Sequence, residues 1–142
     1  EQQQVRFTEH TLAYDSLLIR NHPFILKEDS LNLGELSGDK TLLVFWATWS
    51  EKSKDLFTEI EEISSVNTDL NIIAAVVKDV TDNAEEAILE HDFTYIDGTV
   101  LFNKLRAPGI PSYVILDENG VLISTHVGYQ KGAIFEVFKG IE

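Results

Sequence analysis

"LLVFWATWSEKSKDLFTEIEEI", residues 42–63, decides how the rest of the chain reads. Its first part is apolar on both alternating sets, Leu43/Phe45 and Leu42/Val44/Trp46. A strand with that pattern is a central one, covered on both faces. From Ser50 the period changes. Leu56, Phe57, Ile60 and Ile63 recur at helical spacing, while Glu59, Glu61 and Glu62 fall outside that stripe. Strand and helix meet at "TWSEKS", where two serines stand as S-x-x-S. Two cysteines so placed would form a redox motif, yet the 142-residue chain contains no cysteine.

Bulk composition narrows the function classes. A chain of 142 residues with 44% hydrophobic content supports one packed domain, 1–142. We divide it into an N-terminal extension, 1–21, and a core, 22–142. The formal net charge is -13, without a Lys/Arg cluster in the sequence. Nucleic acid and anionic membranes are bound through basic patches, so neither is expected as a partner. A basic partner would suit the charge. Without cysteine there is neither a disulfide nor a thiolate metal site. His10, His22, His91 and His126 have no ligand spacing, so no metal site is expected. No apolar run approaches membrane-spanning length, and no signal-peptide pattern occurs.

The remaining segments complete an α/β order. "EQQQ" reads as a frayed end, and "VRFTEHTLAYDSLLIR" follows neither period cleanly. "HPFILKEDSLNLGEL" is a hairpin-like lead-in. "SGDK" is a turn, "NIIAAVVK" a second buried strand, and "NAEEAILEH" a short helix with Ala84, Ala87 and Ile88 on one side. "FTYIDG" is briefly extended, and "TVLFNKL" is one or two helical turns ended by "APGIP". "SYVILDENGVLISTHVG" is a hairpin with Asn119-Gly120 in its turn. "KGAIFEVFKGI" closes as an amphipathic helix through Ile134, Val137, Phe138 and Ile141. The expected fold is a sandwich around a mixed sheet, parallel early and antiparallel late.

Two stretches, in order, resemble one family. "LLVFWATWSEKSKDLFTEIEEI" is similar to the strand-motif-helix core of the thioredoxin fold, in which F-W-A-x-W-C-x-x-C-K opens the helix. "GIPSYVILDENGVLISTHVG" is similar to that family's second signature. The "WATW" form and the lead-in from Pro23 most resemble the extracytoplasmic TlpA/ResA branch of thiol-disulfide oxidoreductases. The resemblance runs from about Pro23 to the C-terminus. It implies exchange of disulfides in a partner protein, no dissociable cofactor, a monomer, and a place outside the cytoplasm with any signal or anchor removed. A membrane reductase is admitted as a second partner.

Carried over residue by residue, Ser50 stands at the attacking position and Ser53 at the resolving one. Free N–H groups and the helix dipole stabilise a thiolate at a helix N-terminus. A serine hydroxyl does not ionise there without a base and forms no disulfide, so the chain as written is expected to be inactive. Two accounts stay open. One is an engineered Cys→Ser replacement at both positions. The other is natural loss of the thiols, leaving a protein-binding module. Glu51-Lys52 between the serines and Val44, where many thioredoxins carry a buried acid, speak for the second. Ser50 is also a good helix cap whatever its history. A serine hydrolase has little support, since G-x-S-x-G is absent. By the same resemblance Pro111 is the proline held in cis beside the motif, Ile110 offers backbone to an extended substrate, and Trp49 is a platform for it; the residues alone allow a core indole at 49 equally well. Trp46 is expected in the core. Glu86 and Glu90 lie where the branch adds a helix; a solvated helix face is their expected role.

Overall fold

The computed structural model describes residues 2–13, 23–26, 29–32, 40–47, 50–66, 70–77 and 94–141. The expected turn at 37–39, the expected helix over 83–91, and Trp49, Glu86 and Glu90 lie outside them. A five-stranded sheet forms the middle layer. Its strands are β3 (Lys40–Trp46), β4 (Leu70–Val76), β5 (Thr94–Asp97), β6 (Ser112–Leu116) and β7 (Leu122–Val127), in the order β5-β4-β3-β6-β7. β4 runs parallel to β3 and β5 parallel to β4, whereas β6 and β7 are antiparallel to their neighbours. β1 (Pro23–Leu26) and β2 (Asp29–Asn32) form a separate antiparallel hairpin, in register from Pro23↔Asn32 to Leu26↔Asp29.

β3 is central, as its double apolar pattern requires. Leu43 and Phe45 join one buried cluster, and Leu42, Val44 and Trp46 join the other. The first cluster lies under α1 (Gln2–Ala13), through Phe7, and under α3 (Thr99–Lys104), through Leu101 and Phe102. Phe45 meets Phe102 edge-on, with ring centroids 5.5 Å apart. The second lies under α2 (Glu51–Val66), through Leu56, Phe57, Ile60 and Ile63, and under α4 (Ala133–Ile141), through Ile134 and Phe138. Trp46 packs on Phe57 at 5.0 Å, in the core as expected. Each Leu or Phe buried this fully contributes about 1.5–3 kcal/mol relative to exposure.

One local outcome differs from the sequence reading, and one turn adds detail to it. The N-terminal stretch is helical from Gln2, with Phe7 and Thr11 buried on its inner side and Thr8 Oγ1 2.5 Å from Thr125 Oγ1 of β7. One phenylalanine and one threonine, four positions apart, are too sparse to declare a period. The β6–β7 turn holds Asn119 and Gly120, as expected, and spans Asp117–Val121. Gly120 takes a left-handed φ of 81°, and the Asp117 carboxylate accepts from the Asn119 and Val121 amides at 2.8 and 2.9 Å.

Gly98 links β5 to α3 and leaves no room for a side chain. A Cβ there would come within 2.4 Å of the Ala75 Cβ on β4. Gly98→Ala should therefore destabilise the fold by about 1–3 kcal/mol, by overpacking. Ala75→Gly in the same chain should recover part of that loss. Denaturant unfolding of the two single variants and the double variant checks this. Simple additivity of the two losses would contradict it.

Candidate functional site

The site begins where β3 ends. The Ser50 amide bonds the Ala47 carbonyl at 3.1 Å, turning the chain off the sheet, and α2 starts at Glu51. Ser50 accepts on Oγ from the Ser53 amide at 3.3 Å. That is the helix-cap geometry its residue type favours, a side-chain oxygen taking one of the free first-turn N–H groups. Ser53 lies one turn on and is 1% exposed, and its hydroxyl has no hydrogen-bond partner among the described residues. The two serines thus differ in kind. One satisfies a helix end; the other is a buried polar group left unpaired by the described residues, at a cost of about 1–3 kcal/mol.

Pro111 belongs to the same end of the sheet. Ser112 is the register partner of Phe45, so Pro111 falls beside the Trp46 end of β3, from which α2 departs. The Ile110–Pro111 peptide bond is cis. The loop is pinned on both sides: the Ser112 hydroxyl donates to the Gly109 carbonyl at 2.5 Å, and the Gly128 amide to the Pro111 carbonyl at 2.8 Å. Pro111 is buried, and half-buried Ile110 packs on the α1–α3 core. Backbone pairing therefore places Ser50, Ser53, Ile110 and Pro111 at one end of the sheet. Trp49 lies outside the described residues.

A buried acid escaped the sequence reading. Glu59, grouped there with Glu61 and Glu62 outside the apolar stripe, is only 9% exposed. Its carboxylate accepts from the Tyr129 hydroxyl and, at 3.0 Å, from the Gly132 amide just ahead of α4. Helix geometry could have found it. Glu59 stands three residues after Leu56 and four before Ile63, so all three share a face. The Glu59 hydrogen bond, then burial, push the Tyr129 phenol up to about 12. Burial, then the Glu59 charge, push Tyr113 up to about 12 as well. Val44 is fully buried on this side of the sheet, so the strand position where many thioredoxins carry an acid is apolar here.

The described chemistry is sparse in proton acceptors. His126 is held below the usual histidine range by burial; it bonds Ser124 Oγ at 2.9 Å and stacks on Tyr113 at 4.8 Å. It is thus engaged with β7 and β6 neighbours rather than with Ser50, and the hydrolase reading gains nothing. Among the described residues, no group of three or more His, Asp or Glu could hold a metal ion. No helix among them is long and apolar enough to cross a membrane.

Comparison with known proteins places this geometry. The profile of the thioredoxin-like domain matches residues 28–138. Thioredoxin-like protein YneN of Bacillus subtilis is 27% identical over 110 residues, covering 72% of this chain and 65% of that protein, so the match leaves about a third of the relative's length unaccounted for. A crystal structure named for the thiol:disulfide interchange protein DsbE of Chlorobium tepidum superposes with a TM-score of 0.72 at 20% identity, over 84% of this chain and 89% of that one. The exposed lipoprotein thioredoxin of Streptococcus pneumoniae gives 0.63 at 19% identity, over 83% and 97%. At such identities the two structures share the fold.

The serines should respond oppositely to truncation. Ser50→Ala removes a cap and should cost about 1 kcal/mol. Ser53→Ala removes the orphaned hydroxyl and should leave stability unchanged or raise it by about 1 kcal/mol. Urea midpoints of the two variants decide; a loss in both would mean that the Ser53 hydroxyl has a partner in solution.

Proposed function

Because this chain belongs to the thioredoxin-like domain family, we propose that it is the scaffold of a thiol-disulfide exchange protein acting on partner-protein disulfides, with hydroxyls standing at both thiol positions. The observation that carries this reading is Ser53. Its side chain is buried, without a partner among the described residues, one turn into α2, where the family places the resolving sulfur. A thiol tolerates such a place far better than a hydroxyl, since it behaves as a small hydrophobe with a weak donor. Ser50 supports the reading from the other side: a first-turn amide is aimed at its Oγ, as it would be at a thiolate.

In this reading Ile110, Pro111 and Trp49 form the groove that holds an extended segment of the partner, and the protein works outside the cytoplasm. The relatives named for a lipoprotein and for disulfide interchange support that placement. The competing reading, a module that binds partners and has lost the chemistry by nature, uses the same groove. The orphaned hydroxyl at 53 favours replacement of a thiol over long adaptation, because adaptation would be expected to remove a buried cost of that size.

The test is to return sulfur to both positions. In the Ser50→Cys/Ser53→Cys variant, the thiolate at 50 attacks one sulfur of a substrate disulfide. The substrate's S–S bond breaks, a mixed disulfide forms, and the departing sulfur takes a proton. The thiol at 53 gives up its proton and attacks the mixed disulfide. The substrate leaves as a dithiol and the protein is left oxidised, to be reduced again by added dithiothreitol. Reduction of insulin disulfides, followed by turbidity, should be at background for the chain as written and clearly above it for the double variant. A folded but inactive double variant would favour the binding module.

A further inference from the structure

A cleft of about 930 Å3 opens between α1 and the end of α3, away from the serines. Its lining includes Arg6, Lys104 and Arg106 beside Phe102, Ala107 and Pro108, and no acid lines it among the described residues. The chain carries 24 acids against 11 bases, so a cleft whose described lining has bases and no acid stands against its average. Long-range repulsion from the acidic surface is screened beyond about 8–10 Å at ordinary salt, so contact-range cations set what this cleft binds.

Arg106 adds an independent observation. α3 ends in paired bonds, Arg106 N–H to the Asn103 carbonyl and Ala107 N–H to the Phe102 carbonyl, both at 3.2 Å. This terminator holds its central residue left-handed and is normally given to glycine. Here that residue is Arg106, at φ 58°. A side chain there is strained, and a long cationic one at a position that suits glycine points to use of the side chain. Arg6 comes from the other wall. The burial of Phe7 and the Thr8–Thr125 contact seat α1 and so fix Arg6 at the cleft, although α1 lies ahead of the residues matched by the family profile.

We propose that this cleft is a second binding site, which takes an acidic segment of the partner protein, its Asp or Glu carboxylates paired with Arg6 and Arg106. Guanidinium groups pair carboxylates in a two-pronged fashion. The volume suits several residues rather than a single ion, being near the top of the range of about 300–1,000 Å3 typical of ligand pockets. Pro108 is three residues from Pro111, so the chain cannot separate them by more than about 11 Å. A partner held at Pro111 can therefore reach the cleft with a neighbouring stretch. This rests on the proposed function only in taking the ligand to be part of a protein.

The test uses the full chain and three probes: end-capped hexaglutamate, end-capped hexaglutamine and inorganic phosphate. Hexaglutamate should shift the backbone amide resonances of residues 102–107, with binding that weakens as salt rises, and hexaglutamine should not. Arg106→Gly should weaken hexaglutamate binding about tenfold, a loss of about 1.4 kcal/mol, while raising the thermal midpoint by relieving the backbone. Arg6→Gln should weaken binding similarly, without that gain. The proposal is overturned if hexaglutamate leaves these amides unmoved, or if both variants bind it as the parent does. Phosphate binding as tightly as the peptide would make the cleft a small-anion site and overturn it too. The probes carry no disulfide and the readout ignores position 50. Failure here therefore leaves the exchange reading standing, and an inactive double-cysteine variant leaves the cleft standing.

Discussion

The structure depends on β3 being buried on both faces at once. A strand so covered can sit only in the middle of a sheet, with helices above and below it. That single constraint gives β3 its neighbours, β4 on one side and β6 on the other, and commits Leu43/Phe45 and Leu42/Val44/Trp46 to separate cores. Everything at the candidate site hangs from the strand's C-terminal end. α2 leaves from there through Ser50, and the β6 register brings Pro111 to the same edge. Weakening β3 would therefore dissolve the site as well as the fold.

The second organising contact is the Glu59 carboxylate. It ties the middle of α2 to Tyr129 and to the backbone ahead of α4, joining the two helices on one side of the sheet. A buried carboxylate is costly unless satisfied, and here it receives both a phenol and an amide. The brace and the site share α2, so the orientation of Ser50 and Ser53 is anchored about two turns further along the same helix.

What could be read in the sequence follows the strength of local patterns. The double alternation in 42–46 and the stripe of Leu56, Phe57, Ile60 and Ile63 are dense, so the sheet centre and α2 were legible. α1 was not, because Phe7 and Thr11 are its only described fully buried side chains. Glu59 was misplaced because residue type outweighed helix geometry, although its spacing from Leu56 and Ile63 puts it inside. The cleft had no sequence signal at all. Arg6 lies far in sequence from Lys104 and Arg106 and meets them only once α1 docks, and nothing in "NKLRAPG" marks Arg106 as left-handed. The positions of Ser50 and Ser53 were legible, but the contrast between a satisfied and an orphaned hydroxyl needed packing to appear.

The central claim is that the start of α2 is still built to hold a thiolate. Ser50→Cys alone tests it most directly, because one thiol at the helix end has no resolving neighbour to complicate its titration. The Ser53 amide aimed at position 50 and the helix dipole act at contact range. Glu51 and the acidic surface oppose them, and solvent and salt attenuate that opposition. The rate of reaction with iodoacetamide across pH should therefore give an apparent pKa clearly below the free-cysteine value of about 8.5. A value at or above it would mean that the site does not favour a thiolate, and the account of a displaced exchange chemistry would be wrong.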